Sequence, residues 1–330
     1  MSEEMELPER EMMEFDVVIV GAGPAGLSAA IRLKQINPDL TVVVLEKGAE
    51  VGAHILSGAV VDSVGIDALL PGWQEEEGHP FKTKVTDDQF LFLGPAGSVR
   101  LPNFAMPPLM NNHGKYIVSL GNVCRWLATK AEELGVEIYP GFAASEVLYD
   151  DAGNVIGVAT GDMGIEKNGE PGPNYTRGMA LLGKYTLIGE GVRGSLAKQL
   201  IEKFELSKDR DVQKFGIGIK ELWEVKPENH KQGLVQHSFG WPLDMKTGGG
   251  SLLYHLEDNL VAVAIQQAGD KSKTLIHDRS LSPGHRHLPI KSKSVTHVSE
   301  TICHLSLRSG RCMVCSGGGK CLCISAYDTA

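Results

Sequence analysis

One stretch limits what this chain can fold into more than any other. A short β-branched run, Phe15-Asp16-Val17-Val18-Ile19-Val20, has the composition of a buried parallel strand and passes straight into Gly21-Ala22-Gly23-Pro24-Ala25-Gly26. Leu27–Gln35 then has helical spacing, and a second strand-like run, Thr41–Leu45, ends at Glu46. Each part has a physical task. Gly21 permits a tight turn, Gly23 lets backbone amides approach a pyrophosphate, and Gly26 lets the helix lie close to the strand. The helix start, with Pro24 and Ala25, presents partial positive charge to phosphates. Glu46, followed by Lys47, is placed to accept hydrogen bonds from ribose hydroxyls. A lone glycine-rich turn is weak evidence, but here strand, helix, second strand and acid all stand where dinucleotide binding needs them. The unit predicts an α/β, Rossmann-like fold.

A second signal lies far downstream. Tyr185–Ile188 reads as a strand entering Gly189-Glu190-Gly191-Val192-Arg193-Gly194, and Ser195–Phe204 reads as a helix. Taken alone, the loop also fits an ordinary connection with glycine caps. Beside the first motif, it resembles the second FAD motif of glutathione-reductase-type flavoproteins, whose loop returns an acid to the FAD ribityl and pyrophosphate. FAD is therefore expected rather than NAD. Between the motifs, Leu120–Leu134 has helical spacing and Val136–Tyr139 reads as a strand. Ala144–Tyr149 and Val155–Thr160 read as a hairpin around Asp151-Ala152-Gly153-Asn154.

Longer strings resemble the electron-transfer flavoprotein:ubiquinone oxidoreductase family. They are Val51-Gly52-Ala53-His54-Ile55-Leu56-Ser57-Gly58-Ala59, Met110-Asn111-Asn112-His113-Gly114, Leu196–Leu200, and Gly216-Ile217-Gly218-Ile219-Lys220-Glu221-Leu222-Trp223. Gly240-Trp241-Pro242-Leu243-Asp244 follows, with Thr247, Gly249-Gly250-Ser251 and Leu253-Tyr254-His255. The resemblance runs from about Phe15 to Ile265. It implies FAD, a four-iron, four-sulfur cluster, electron-transfer flavoprotein as donor, and ubiquinone as acceptor at a membrane surface. By resemblance, Gly21, Gly23, Gly26, Glu46 and Gly189–Gly194 hold FAD, and Gly52–Gly58, with His54 and Ser57, lies near the flavin ring. Gly249 and Gly250 match the paired glycines at the quinone head group, although local sequence alone reads them as a turn.

The expected fold is thus a glutathione-reductase-type FAD-binding domain over residues 1–205, with a β insertion around 144–160. An antiparallel, β-rich part of a quinone-binding domain follows over 206–265. Related folds serve flavin-dependent isoprenoid reductases and aromatic monooxygenases, which form the rival reading. His54, His113 and His255 titrate near neutrality but read first as packing residues. Trp241 and the Pro-rich stretch Leu101–Leu109 fit either core packing or an apolar surface that dips into lipid.

Composition separates the last 65 residues from the rest. Residues 266–330 hold nine Lys/Arg against four Asp/Glu, leaving 23 against 37 before them. The acidic body argues against nucleic acid as a partner. Five of six cysteines and five of eleven histidines also fall after Ile265. Cys312, Cys315, Cys321 and Cys323 offer four thiolates, but their spacing is neither that of common zinc sites nor the family's cluster arrangement. The tail reads as atypical and non-native, no metal is assigned to it, and a truncated, non-catalytic fragment is a further rival reading. Without a further flavin-domain segment, FAD binding that is weak or absent is expected, and a chain that is inactive or prone to aggregate. The acidic N-terminus lacks the order of a secretory or mitochondrial leader, so the resemblance implies a peripheral place on the cytoplasmic face of a bacterial inner membrane, or its mitochondrial equivalent.

Overall fold

The structure is a computed structural model that describes residues 9–55, 58–210, 215–243, 247–268, 313–316 and 320–328. The chain opens with β1 (Met12–Val20), α1 (Pro24–Ile36) and β2 (Val42–Glu46). Next come β3 (Ala59–Val61), the short helix α2 (Val64–Leu69), β4 (Thr83–Lys84), β5 (Asp87–Gly94), β6 (Gly97–Leu101) and β7 (Tyr116–Val118). They are followed by α3 (Leu120–Glu133), β8 (Glu137–Pro140), β9 (Ala144–Tyr149) and β10 (Val155–Thr160). Then come β11 (Met163–Ile165), β12 (Pro171–Thr176), β13 (Ala180–Ile188) and α4 (Ser195–Lys203). The remainder is strand: β14 (Phe215–Glu224), β15 (Leu234–Gly240), β16 (Gly249–His255), β17 (Leu260–Ala268), β18 (Met313–Ser316) and β19 (Lys320–Asp328).

These elements form two compact units. The first takes 1–55, 65–80 and 120–211; the second takes 56–64, 81–119 and 212–330. The single boundary near residue 205 expected from sequence is therefore replaced by an interleaved division. The reason is pairing: β5 lies parallel to β15, and β3 and β4 pair with β7.

The first unit holds a six-stranded sheet in the order β8-β2-β1-β13-β10-β9. β8, β2, β1 and β13 run parallel, and β10 and β9 turn antiparallel at the edge. Val18, Val43, Val158 and Leu181 are fully buried in its core, with Val20, Leu45 and Leu196. Each such side chain contributes roughly 1.5–3 kcal/mol by leaving water. α1 begins at Pro24, where the missing N–H costs nothing, and packs against α3. Past its end, the Lys34 ammonium donates to the carbonyls of Pro38 at 2.5 Å and Leu40 at 2.9 Å.

The second unit holds an eight-stranded sheet, β18-β19-β14-β17-β16-β15-β5-β6, and a three-stranded one, β3-β7-β4. Val85, Ile117, Val235, Tyr254, Leu256 and Ala262 form its core. Two stretches of the tail, expected to lie outside the fold, join this sheet: β19 pairs antiparallel with β14 over Phe215–Glu221, and β18 pairs with β19. The pairing gives partners to backbone groups that β14 would otherwise leave open. Cys312 lies outside the described residues. Among the described residues, no helix is long and apolar enough to cross a membrane, and no group of three or more His, Cys, Asp or Glu could hold a metal ion.

Candidate functional site

In the first unit, β1 ends where the chain must turn sharply. Gly21 has φ +104°, and an added Cβ would press on the Gly189 carbonyl group. The Gly21 N–H donates to the Leu45 carbonyl at 2.7 Å, and the Gly189 N–H to that of Val20 at 2.7 Å. Gly26 is fixed the same way, since a Cβ there would fall on the Gly21 carbonyl oxygen. Gly23 differs. A Cβ at Gly23 would meet nothing within 4 Å, and Pro24 and Ala25 beside it are exposed. Gly23 caps α1 without a side chain, and the first turn carries no acid. The helix start therefore offers unused N–H groups and partial positive charge with no competing carboxylate, which suits a phosphate.

Glu46 is locked beside this opening. The Ala22 N–H donates to its Oε2 at 3.1 Å and the Gly48 N–H to its Oε1 at 2.7 Å. Each carboxylate oxygen keeps a further lone pair for a hydroxyl donor. Lys47 and His54 are exposed, and Ser57 lies outside the described residues. Gly52 has φ +84°, and its close approach to the Gly121 carbonyl excludes a side chain. Gly121 was not singled out by sequence, because its need shows only where the distant Gly52 backbone meets it, and Gly48 was passed over because its crowding by the Glu46 carboxylate and the Glu50 carbonyl appears only in the folded loop.

The loop Gly189–Gly194 adjoins Gly21, as the two-motif reading expects, but Glu190 points elsewhere. Its Oε2 accepts the Ala197 N–H at 2.8 Å and its Oε1 the Leu196 N–H at 3.4 Å. Glu190 thus caps α4, whose N-cap Gly194 has no side chain of its own to do so. Gly191 has φ +77°.

In the second unit, Gly58 is buried with φ +80°, and its carbonyl accepts a hydrogen bond from the Lys220 ammonium. Burial pushes Lys220 down from 10.5 to about 8. Gly249 and Gly250 open β16. A Cβ on Gly249 would meet the Gln266 carbonyl, and one on Gly250 that of Ser238. Neighbouring strands alone therefore require both glycines.

Next to them, the Ser238 and Ser251 hydroxyls bond one another. His237 Nε2 lies 2.7 Å from the Tyr254 hydroxyl oxygen, and its ring stacks on Phe90 at 5.3 Å and 18°. Asp88, also buried, accepts the Asn112 N–H at 2.9 Å. Of the histidines singled out earlier, His113 is exposed, and buried His255 accepts the Lys231 N–H at 3.0 Å through Nδ1. Burial, with His230 and Lys231 nearby, pushes His255 down from 6.5 to about 4, so it serves as a neutral acceptor. His237 was missed because only strand register reveals its neighbours, and Lys220 because its partner Gly58 lies 162 residues away in the sequence. In the Pro-rich stretch, Phe104 and Leu109 are each 92% exposed, so it forms surface, not core.

Comparison with known proteins sharpens the resemblance. A family model described as ETF-QO, ubiquinone-binding, matches residues 215–277, and a Thi4 family model matches residues 3–66. Electron transfer flavoprotein-ubiquinone oxidoreductase of Pseudomonas aeruginosa is 50% identical, over 94% of this chain and 58% of the relative. The mitochondrial protein of that name from Dictyostelium discoideum is 54% identical, over 84% of this chain and 46% of the relative. The chain spans about half the length of the curated relatives it matches. The structure of a myxobacterial chondrochloren halogenase, a variant of FAD-dependent halogenases, superposes with a TM-score of 0.51 at 16% identity. It covers 80% of this chain and 55% of that one, and the likeness shows the fold alone. The family resemblance holds across most of the chain.

Proposed function

We propose that this chain, half identical to electron transfer flavoprotein-ubiquinone oxidoreductases, is the FAD- and quinone-binding portion of such an enzyme. The observation that carries the reading is the opening at Gly23, where an uncapped helix start, free of acids, stands beside a carboxylate fixed by two amides. FAD, when bound, supplies the redox chemistry of the reaction. The chain's own residues position it. Gly23, Ala25 and Gly26 present amides to its diphosphate while Pro24, without an N–H, fixes the helix start, Glu46 receives ribose hydroxyls, and Gly21 with Gly189 keeps the loop tight enough to do so. Glu190 acts through α4, holding the start of that helix rather than reaching for the flavin.

In this reading, electrons arrive from reduced electron-transfer flavoprotein and leave to ubiquinone near Gly249 and Gly250. The matched region 215–277 supports the quinone assignment. The exposed pair Phe104 and Leu109 supports a peripheral contact with the cytoplasmic face of a bacterial inner membrane, because each ring or isobutyl group left in water gains by entering lipid. The cluster that the family resemblance implies is assigned to no described residue. Identity near 50% across most of the chain favours this reading over isoprenoid reductases and aromatic monooxygenases, whose shared feature is the fold.

The test is a titration of the purified chain with FAD, followed by absorbance and fluorescence. Saturable FAD binding that NAD does not displace is the expected result. A well-folded chain that ignores FAD, or takes up a nicotinamide nucleotide in its place, overturns the reading.

A further inference from the structure

The register of β15 on β16 sets His237 opposite Leu252. Side chains two apart on a strand share a face, so Gly250 and Tyr254 are the two diagonal neighbours of His237, each about 7–8 Å away. The ring reaches one of them, the Tyr254 hydroxyl at 2.7 Å, while stacking on Phe90 fixes its plane. On the other diagonal stands a glycine. His237 Nδ1 is buried and has no hydrogen-bond partner among the described residues.

Counting donors and acceptors assigns the proton. Burial holds Tyr254 above its ordinary value, with Asp88 acting in the same sense, so it stays a phenol. Burial also lowers His237, so its ring is neutral near neutral pH and offers one donor and one acceptor. Were Nε2 to donate to Tyr254, both the Tyr254 O–H and the Nδ1 lone pair would be left unbonded. With Tyr254 donating to Nε2, only the Nδ1–H is left. Unpaired buried groups are costly, so the second arrangement prevails. It presents a fixed N–H on the face that Gly250 shares.

The same face decides what kind of acceptor fits. Asp88, opposite Val235, lies on it and repels anions. Lys220, in line with Leu252 through Ala264, is three strands away and engaged by Gly58. A neutral carbonyl oxygen suits a single N–H beside a carboxylate. Resting on the ubiquinone reading above, the geometry points to His237 as a hydrogen-bond donor, through Nδ1, to a carbonyl oxygen of a bound quinone, with Tyr254 as the positioning residue that fixes its proton.

Calorimetric titration of the full chain with decylubiquinone in detergent tests this. His237→Phe keeps a ring on Phe90 and removes both nitrogens; it weakens binding roughly ten-fold, the loss of about one hydrogen bond. His237→Gln, which restores a donor, recovers part of that loss. Tyr254→Phe frees the proton to sit on either nitrogen and weakens binding by a smaller factor. Binding by His237→Phe within about two-fold of the parent overturns the inference and leaves the ubiquinone reading standing. A parent chain that takes up no decylubiquinone overturns both. A second readout needs no variant: in the parent labelled with 15N-histidine, the His237 Nδ1–H resonance moves downfield as decylubiquinone is added. A resonance unmoved at saturation overturns the inference.

Discussion

At Gly21 and Gly26, an added Cβ would strike the backbone of Gly189 or Gly21; at Gly23, three residues from Gly26, it would meet nothing within 4 Å. In the second unit, Gly249 and Gly250 are both closed off, by the carbonyls of Gln266 and Ser238. The first region thus separates glycines that hold the loop from the one that leaves room in front of it. Neither member of the Gly249–Gly250 pair is open in this way, so these two glycines shape the strand and any ligand beside them must find its polar partners on neighbouring side chains. A shared glycine motif therefore carries different information in the two places, and only the empty position speaks for a ligand.

The contrast can be broken at its strongest point first. Gly26→Val drives a branched side chain into the Gly21 carbonyl and should cost about 3 kcal/mol or more, read as loss of folded protein by circular dichroism. Gly250→Ala forces β15 and β16 apart at Ser238 and should cost about 1–3 kcal/mol in urea unfolding. A neutral result there would reopen the glycine pair as space kept for a ligand. Glu190→Ala removes the cap of α4 and should cost about 1 kcal/mol by the same measurement. Gly23→Ala should cost less than about 1 kcal/mol yet lower FAD affinity, a split that no purely structural glycine gives.

Acid sharpens the second region by a separate route. His255 titrates at about 4 in the fold against 6.5 when free. Between those values the unfolded chain binds a proton that the folded chain refuses, so stability present above pH 6.5 drains away as pH falls towards 4. The urea midpoint of the parent should fall through that window, and His255→Gln should flatten the fall.

The β1–α1–β2 unit was legible because its signals are local: a β-branched run, a glycine turn and a helix within thirty-odd residues, in the order that the physics requires. The hairpin of β9 and β10 was legible too, down to its ends. What sequence did not reveal is partner choice. Nothing local says that β5 should lie along β15, or that 81–119 should leave the first unit for the second. The direction of Glu190 was hidden for a similar reason, since a carboxylate can serve a helix start or a ligand with equal chemistry. His237 became visible only once register placed Gly250 and Tyr254 on its two diagonals.

Cys124, completely enclosed on α3, has its thiol pushed up to about 12 by burial and by the nearby Glu46 carboxylate. Thiolate is the reactive form, so in the folded chain this sulfur is chemically silent towards alkylating reagents. The other five cysteines all follow Ile265. Iodoacetamide applied under native conditions therefore reads out the carboxy-terminal region alone, and the mass added counts how many of its sulfurs can be reached.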